Sequence, residues 1–403
     1  TTIVKKFCEE HYENVVYIDF MHNTSVKSLF DKDLNVNDLI ISLSASNLGA
    51  KFIPYKTIII FDELQECANA RSAIKPFMED GRFDLICTGS LLGLRGYNKK
   101  VSKGVSTGFE KVITMKPMDF EEYLWAIGID KTVISSLKNN FDKNIPVSDE
   151  TNKVMQKYLR EFMLVGGMPA VINKFLETNN YNEVHDEQQK ILNDYLNDIA
   201  KYASTADKPK ARNCYLSIPR QLAKENTKFK FGEVEKGGTA RKYANCLDWL
   251  RDANLIRYCY NCVPPEFPLA AYVRQEQFRI YTNDIGLLIC MYGFEMKQAI
   301  LTDSLKGSAK GGIYENLIAD FLVKKGYPLY YFKRDDSSSE VEFLIEKECS
   351  VVPIEVKSKK GSTSSLDTIL KKDDVKLGYK IVDGNLGITE KKKTIPHYMT
   401  MFI

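Results

Sequence analysis

Tryptophan and histidine are scarce in this chain, two and four among 403 residues. Four histidines leave little to complete a zinc site. Cys259 and Cys262 form one CxxC, with no second CxxC and no nearby His, so they read as strand cysteines rather than ligands. Long apolar runs are missing as well. The best candidate, Ile285 to Phe294, is about half of the ~20 residues a membrane span needs, and it contains Gly286 and Gly293. No membrane partner is expected. No sign of charge dominates: 56 Lys+Arg against 53 Asp+Glu gives +3, which neither demands nor excludes nucleic acid. Nine cysteines scattered through apolar segments suit a reducing compartment, and the expected location is the cytoplasm. No signal-peptide pattern opens the chain, although a late start would hide one. With 44% hydrophobic and 27% charged residues, the chain has material for a globular fold of two to four domains.

The strongest feature present is TIIIFDE, Thr57 to Glu63. Four apolar residues without alternation suit a strand buried on both faces, as in a parallel sheet covered by helices. Asp62 and Glu63 then stand at the C-terminal edge of that strand, where α/β sheets hold ligands. In nucleotide hydrolases of the phosphate-loop type the first such acid helps hold Mg²⁺, and the second can act as a general base toward water. An acidic turn after a core strand is the plainer alternative. VVYIDF (Val15 to Phe20) and FDLICTGS (Phe83 to Ser90) read as two neighbouring strands, the latter offering Thr88 and Ser90 at its polar end. Thr1, Thr2 and Ile3 lead directly into a helical pattern with Val4, Phe7, Cys8 and His11 on one face.

A phosphate loop, G-x-x-x-x-G-K-[ST], occurs nowhere in the 403 residues. The helix that would follow such a loop is present, so the expectation is an upstream strand and loop with Thr1 as the Mg²⁺-side hydroxyl. On its own the chain would then bind ATP weakly. A degenerate site that never had the loop is the alternative.

Pattern shifts divide the remainder. VITM, Val112 to Met115, reads as a last strand of the first domain, and Met118 to Gly128 as a helix. Helical periodicity fills Val154 to Tyr202, broken at GGMP, Gly166 to Pro169. Leu216 to Ala223 and Ala240 to Asp252 read as helices, followed by the hairpin-like NLIRYCYNCV and PPEFP. Helix, helix and wing form a winged-helix pattern, which touches DNA through its second helix or serves as a spacer. Here that helix carries Arg241, Lys242 and Arg251. The expected domains are 1–128, a parallel-sheet core; 129–208, a helical lid; 209–300, winged-helix-like; and 301–403.

The last domain holds a second constellation. GGIYENLIADFLVKKG is a helix with Glu315 at the edge of its apolar stripe. In the strand VVPIEVK, Glu355 and Lys357 share one face by the period of two, and Glu342 lies in the preceding strand EVEFLIE. Carboxylates around a Lys equip a site for Mg²⁺-dependent phosphodiester cleavage: acids hold metal that activates water, and the Lys steadies developing charge. An amphipathic hairpin with solvated charges is the plain alternative.

These strings together, IIIFDELQE, CTGSLLG, PMDFEEYL, YLREFMLVGGMPAVI, YLNDIAKY, GGIYENLIADFL, EVEFLI and PIEVKS, resemble a large group of prokaryotic AAA-type ATPases. The resemblance implies an α/β multidomain protein with a phosphate-loop core, helical and winged-helix middle, and C-terminal PD-(D/E)xK nuclease-like domain. It implies ATP and Mg²⁺ as cofactors. Thr1, Thr2, Asp62, Thr88 and Ser90 would line the nucleotide, with Thr88 or Ser90 sensing the γ-phosphate. Thr1, Asp62, Glu342 and Glu355 would be metal ligands, and Glu63, Glu315, Glu342, Glu355 and Lys357 the catalytic set. Glu342 departs from the family's usual Asp. Thr107-Gly108-Phe109-Glu110 stands where many relatives carry Gly-Arg, so no arginine finger is placed there.

Two functions follow. One is an ATP-driven enzyme acting on DNA, with Lys359, Lys360, Lys371, Lys372 and Lys391 to Lys393 as a basic surface. The other is an ATP-gated protein-interaction switch whose nuclease fold is inert.

Overall fold

The computed structural model describes residues 1–31, 34–46, 50–89, 108–202, 207–335, 339–358 and 363–403, with backbone alone for 200–202. Ser90, Lys359 and Lys360 lie outside the described residues. The chain forms two compact units, Thr1–Thr114 and Met115–Ile403.

In the first unit three parallel strands, β1 (Asn14–Asp19), β2 (Thr57–Asp62) and β3 (Asp84–Cys87), pair in the order β1-β2-β3. β2 is buried along all six residues, as its unbroken apolar run requires. The period of two sorts its side chains between two cores. Ile59 and Phe61 join Phe20, Phe30 and Phe77 on one face, where Phe20, Phe30 and Phe61 meet edge-on at 5.4–5.5 Å. Ile58 and Ile60 face the other way, against Cys8 of the helix Thr2–His11, with Val15, Tyr17 and Ile86 beside them. Asp62 keeps the parity of Ile58 and Ile60, so it points to the side of that helix. The expected strand at Val112–Met115 is absent: these residues have no strand pairing, and Val112, Ile113 and Met115 are exposed. An apolar tetrapeptide becomes a strand only where an edge takes up its backbone groups.

The second unit is built on an eight-stranded mixed sheet, order β10-β11-β9-β8-β7-β6-β4-β5. Its strands are β4 (Ile256–Cys262), β5 (Val273–Thr282), β6 (Tyr330–Lys333), β7 (Glu340–Lys347), β8 (Ser350–Val356), β9 (Gly378–Ile381), β10 (Gly387–Thr389) and β11 (Lys392–Ile395). The hairpin expected as a wing, β4–β5, also pairs through β4 with β6. The sheet therefore runs without a break across the expected boundary at 300/301. Helices Lys208–Leu222, Phe231–Val234 and Ala240–Asp252 precede the hairpin.

The helical block is interrupted at GGMP as expected, between Asp149–Val165 and Pro169–Thr178. The glycines are there for close approach. A Cβ on Gly167 would lie 2.1 Å from the Met118 carbonyl oxygen, and its N–H donates to buried Asp284 at 2.6 Å. Ile285–Tyr292, the most apolar stretch, is an eight-residue helix buried from Ile285 through Cys290. That is why it is apolar all round. Among the described residues no helix is long and apolar enough to cross a membrane. All nine cysteines are free.

Candidate functional sites

At the end of β2, three hydroxyls converge on one carboxylate. Parity places Tyr17 of β1, Asp62 of β2 and Thr88 just past β3 on the same face of the sheet. Thr1 starts the helix packed on that face. Its Oγ1 makes no capping bond to the helix and donates instead to Asp62 Oδ1 at 2.9 Å. Thr88 donates to the same oxygen, Tyr17 Oη donates to Oδ2 at 2.5 Å, and the Glu63 amide donates to Oδ1 at 3.1 Å. Asp62 is 4% exposed. Burial works against its ionisation, but the bonds from Thr88, Tyr17, Thr1 and the Glu63 amide outweigh it and hold the carboxyl below its ordinary range. In turn, burial and the bond to Asp62 push the Tyr17 phenol well above its usual value.

Glu63 sits in the left-handed region at φ 53° and ψ 46°, a conformation that costs a non-glycine residue about 1 kcal/mol or more. The turn is held by the Leu64 amide on the Thr88 carbonyl at 3.0 Å. Gln65 donates to the Glu63 carboxylate, and the room for Gln65 comes from Gly89, where a Cβ would lie 2.4 Å from Gln65 Oε1. Thr2 is exposed, and the bonds converging on Asp62 do not include it. Tyr17 and Gln65 escaped the sequence reading. Tyr17 had a signal, two residues before Asp19 on the same face of β1.

The second site lies on β7 and β8. Phe343 pairs with Ile354, so Glu342 and Glu355 come one step further along the same antiparallel pair. Lys357 joins them, 3.2 Å from Glu342 Oε1 and 2.5 Å from Glu355 Oε1. The Val356 amide donates to Glu342 Oε2 at 3.1 Å. His397 Nε2 lies 3.0 Å from the Lys357 carbonyl, fixing the backbone after the strand. Glu355 is 3% exposed, and its Oε2 has no hydrogen-bond partner among the described residues. Burial and the neighbouring Glu342 charge push its pKa up to about 7, against the opposing pull of Lys357.

Glu315 stands beside this pair, close enough to feel the charges of Glu342 and Lys357, and burial raises its pKa. Its Oε2 is taken by Arg279 at 3.2 Å and Tyr281 at 3.0 Å, both from β5. The four expected residues thus come together as two linked groups. A single three-acid cluster is not formed: among the described residues no three His, Cys, Asp or Glu side chains are placed to hold a metal ion. Arg279 and Tyr281 reach Glu315 only through the pairing of β4 with β6, which no local pattern signals.

Among the described residues, several lysines of the expected basic surface are paired within the protein. Lys372 pairs with Glu266, Lys392 with Asp367, and Lys391 donates to the Lys372 carbonyl. Lys393 is buried, its ammonium 3.6 Å from the Phe141 ring centroid. On the helix Ala240–Asp252, Lys242 pairs with Glu235, and Arg251 with Asp248 and Asp252, while Arg241, and Lys371 elsewhere in the chain, are exposed.

Comparison with known proteins matches the chain in three segments. No curated protein matches it. Among solved structures, a Walker-type ATPase of Pyrococcus abyssi is similar over 72% of this chain and 87% of its own, at 13% identity and a TM-score of 0.38. Residues 156–298 and 310–399 match two domains of unknown function, DUF8612 and DUF4143. Residues 1–124, which carry the Asp62 site, match the AAA domain family AAA_14.

Proposed function

We propose that this protein binds ATP with Mg²⁺ at the C-terminal end of β2 and hydrolyses it. The observation that carries the reading is the convergence of Thr1, Tyr17 and Thr88 on Asp62, with Glu63 next in sequence. A buried carboxylate satisfied only by neutral donors keeps its full negative charge, and an all-oxygen set of carboxylate and hydroxyls suits Mg²⁺. Asp62 and Thr1 would hold the ion, which when bound neutralises phosphate charge. Thr88 offers a hydroxyl to the phosphates, and Glu63 takes a proton from the attacking water. The match of residues 1–124 to an AAA domain supports the nucleotide assignment. The test is ATP binding and turnover by the full-length protein. Glu63→Gln is expected to bind ATP and to hydrolyse it at least about a hundredfold more slowly. Equal turnover by the variant and the parent removes the assignment.

A second reading concerns Glu342, Glu355 and Lys357: metal-dependent phosphodiester hydrolysis by a nuclease-like domain. What favours it is the orphaned Glu355 Oε2, a buried acceptor with no donor among the described residues, beside a second carboxylate. Mg²⁺ is commonly held by only one or two carboxylates plus water, so Glu342 and Glu355 fit it. Lys357 would then steady negative charge on a phosphate. Cleavage of single- and double-stranded DNA in Mg²⁺ or Mn²⁺, with Lys357→Ala as control, separates this from the alternative of an ATP-gated protein switch. The internal pairing of the expected basic residues favours the switch.

A further inference from the structure

Arg279 is one of the largest fully buried side chains, at 1% exposure. Its guanidinium donates to Glu315 Oε2 at 3.2 Å and to Glu340, and lies 4.2 Å from the Tyr331 ring centroid. Glu340 also receives Lys333. Two residues along β5, Tyr281 Oη donates to the same Glu315 oxygen at 3.0 Å. Both bonds to Glu315 fall on Oε2, which fixes that edge of the carboxylate. The Glu315 side chain remains 15% exposed, beside Glu342 and Lys357. The clamp comes from the segment matched by one family model, and the acids it serves lie in the segment matched by another.

A buried guanidinium is costly, and replacing such ion pairs by apolar residues is often neutral or stabilising. Stability alone is therefore weak ground for this arrangement. We propose that Arg279 and Tyr281 are positioning residues for a divalent-cation site at Glu342 and Glu355. They hold Glu315 back from the pair as an outer carboxylate, turned to accept from a cation's water rather than to bind the cation. The proposal rests on the second reading above, that Glu342 and Glu355 take a divalent cation. Outer carboxylates and their partners orient the inner ligands, and losing one commonly weakens metal binding 10–100-fold.

The experiment is Mn²⁺ binding to the full-length protein without nucleotide, read from the electron paramagnetic resonance of free Mn²⁺. An Asp62→Ala background removes binding at the end of β2, and Glu355→Gln identifies the C-terminal component. Tyr281→Phe keeps shape and volume, and is expected to weaken that component about tenfold in a protein that still unfolds cooperatively. Arg279→Gln should weaken it further, and Arg279→Lys should recover part of the loss. If Arg279→Gln fails to fold, Tyr281→Phe decides. Mn²⁺ binding that Glu355→Gln abolishes but Tyr281→Phe leaves unchanged overturns the clamp alone. Absence of any Glu355-dependent Mn²⁺ binding overturns both the clamp and the metal reading.

Discussion

Asp62 and Glu355 are both carboxylates sealed on strands buried along their whole length, 4% and 3% exposed, yet their charges are handled in opposite ways. Among the described residues no cation is bonded to Asp62. Three hydroxyls and an amide donate to it, and it stays ionised below the ordinary range. Glu355 has an ammonium at 2.5 Å and is nonetheless pushed up to about 7, because burial and the neighbouring Glu342 charge outweigh the pull of Lys357. Oriented neutral donors can stabilise a buried charge better than a cation divided between two acids. In the proposed function, the negative charge that the first arrangement preserves is what an incoming cation would meet. The second carries its counter-charge within.

The largest expected effect breaks this comparison on the C-terminal side. Arg279→Ala removes the buried partner of Glu315 and of Glu340, and breaking such a pair costs about 3–5 kcal/mol. Urea denaturation of wild type and variant should show the loss in the unit Met115–Ile403. A variant within about 1 kcal/mol of wild type, the net worth of an ordinary hydrogen bond, would mean that these glutamates find other donors.

The two sites differed in how far they could be read in advance. Asp62, Glu63 and Thr88 were legible because a buried parallel strand has a fixed direction, and its polar end is where chemistry gathers. Thr1 followed from the helix start. Tyr17 was not picked out, since a tyrosine in an apolar strand reads as core until its register against Asp62 is known. At the second site, strand parity brought Glu342, Glu355 and Lys357 together. Arg279 could not be found that way. Its pairing with Glu315 depends on β4 joining β6, a parallel contact between strands about 70 residues apart that no local pattern encodes. The paired lysines teach the same lesson. The sequence shows a run of lysines near the C-terminus, while only tertiary packing shows which of them Asp367, Glu266 and Phe141 already occupy.

Acid sharpens the comparison next. His397 is buried, and its pKa is lowered to about 3 from an ordinary 6.5. The unfolded chain therefore takes up a proton near pH 6.5 that the folded chain refuses, so stability is full above that value and falls as pH drops toward 3. At pH 5 the loss is about 2 kcal/mol. Glu355 runs the other way. Its folded pKa lies above its unfolded one, so the folded chain holds a proton that the unfolded chain sheds, and stability falls as pH rises from 4.5 to about 7. Melting curves from pH 5 to 8 should show a less acid-sensitive His397→Gln and a Glu355→Gln with less loss toward neutral pH. Variants with the parental pH slope would contradict these assignments.

The smallest expected effect tests the hydroxyl cage itself. Tyr17→Phe removes one of four donors to Asp62 and leaves the ring in place beneath the Lys5 ammonium, which lies 3.4 Å from its centroid. A hydrogen bond to a charged group is worth about 1.5–3 kcal/mol. The remaining donors Thr1, Thr88 and the Glu63 amide can tighten, so the net loss should fall near 1 kcal/mol. The direction with pH is fixed by sign. Asp62 has a lowered pKa, so its contribution is present above the unfolded value and disappears in acid. Loss of a donor moves the folded pKa back toward 3.8, and the variant should match wild type at low pH and trail it at neutral pH. If the cage prepares the carboxylate for a cation, freeing Oδ2 should leave Mg²⁺-dependent ATP binding intact or tighter, while Asp62→Ala weakens it. A Tyr17→Phe protein that loses Mg²⁺-dependent binding as fully as Asp62→Ala would make the phenol a participant in the site and not only a support for its charge.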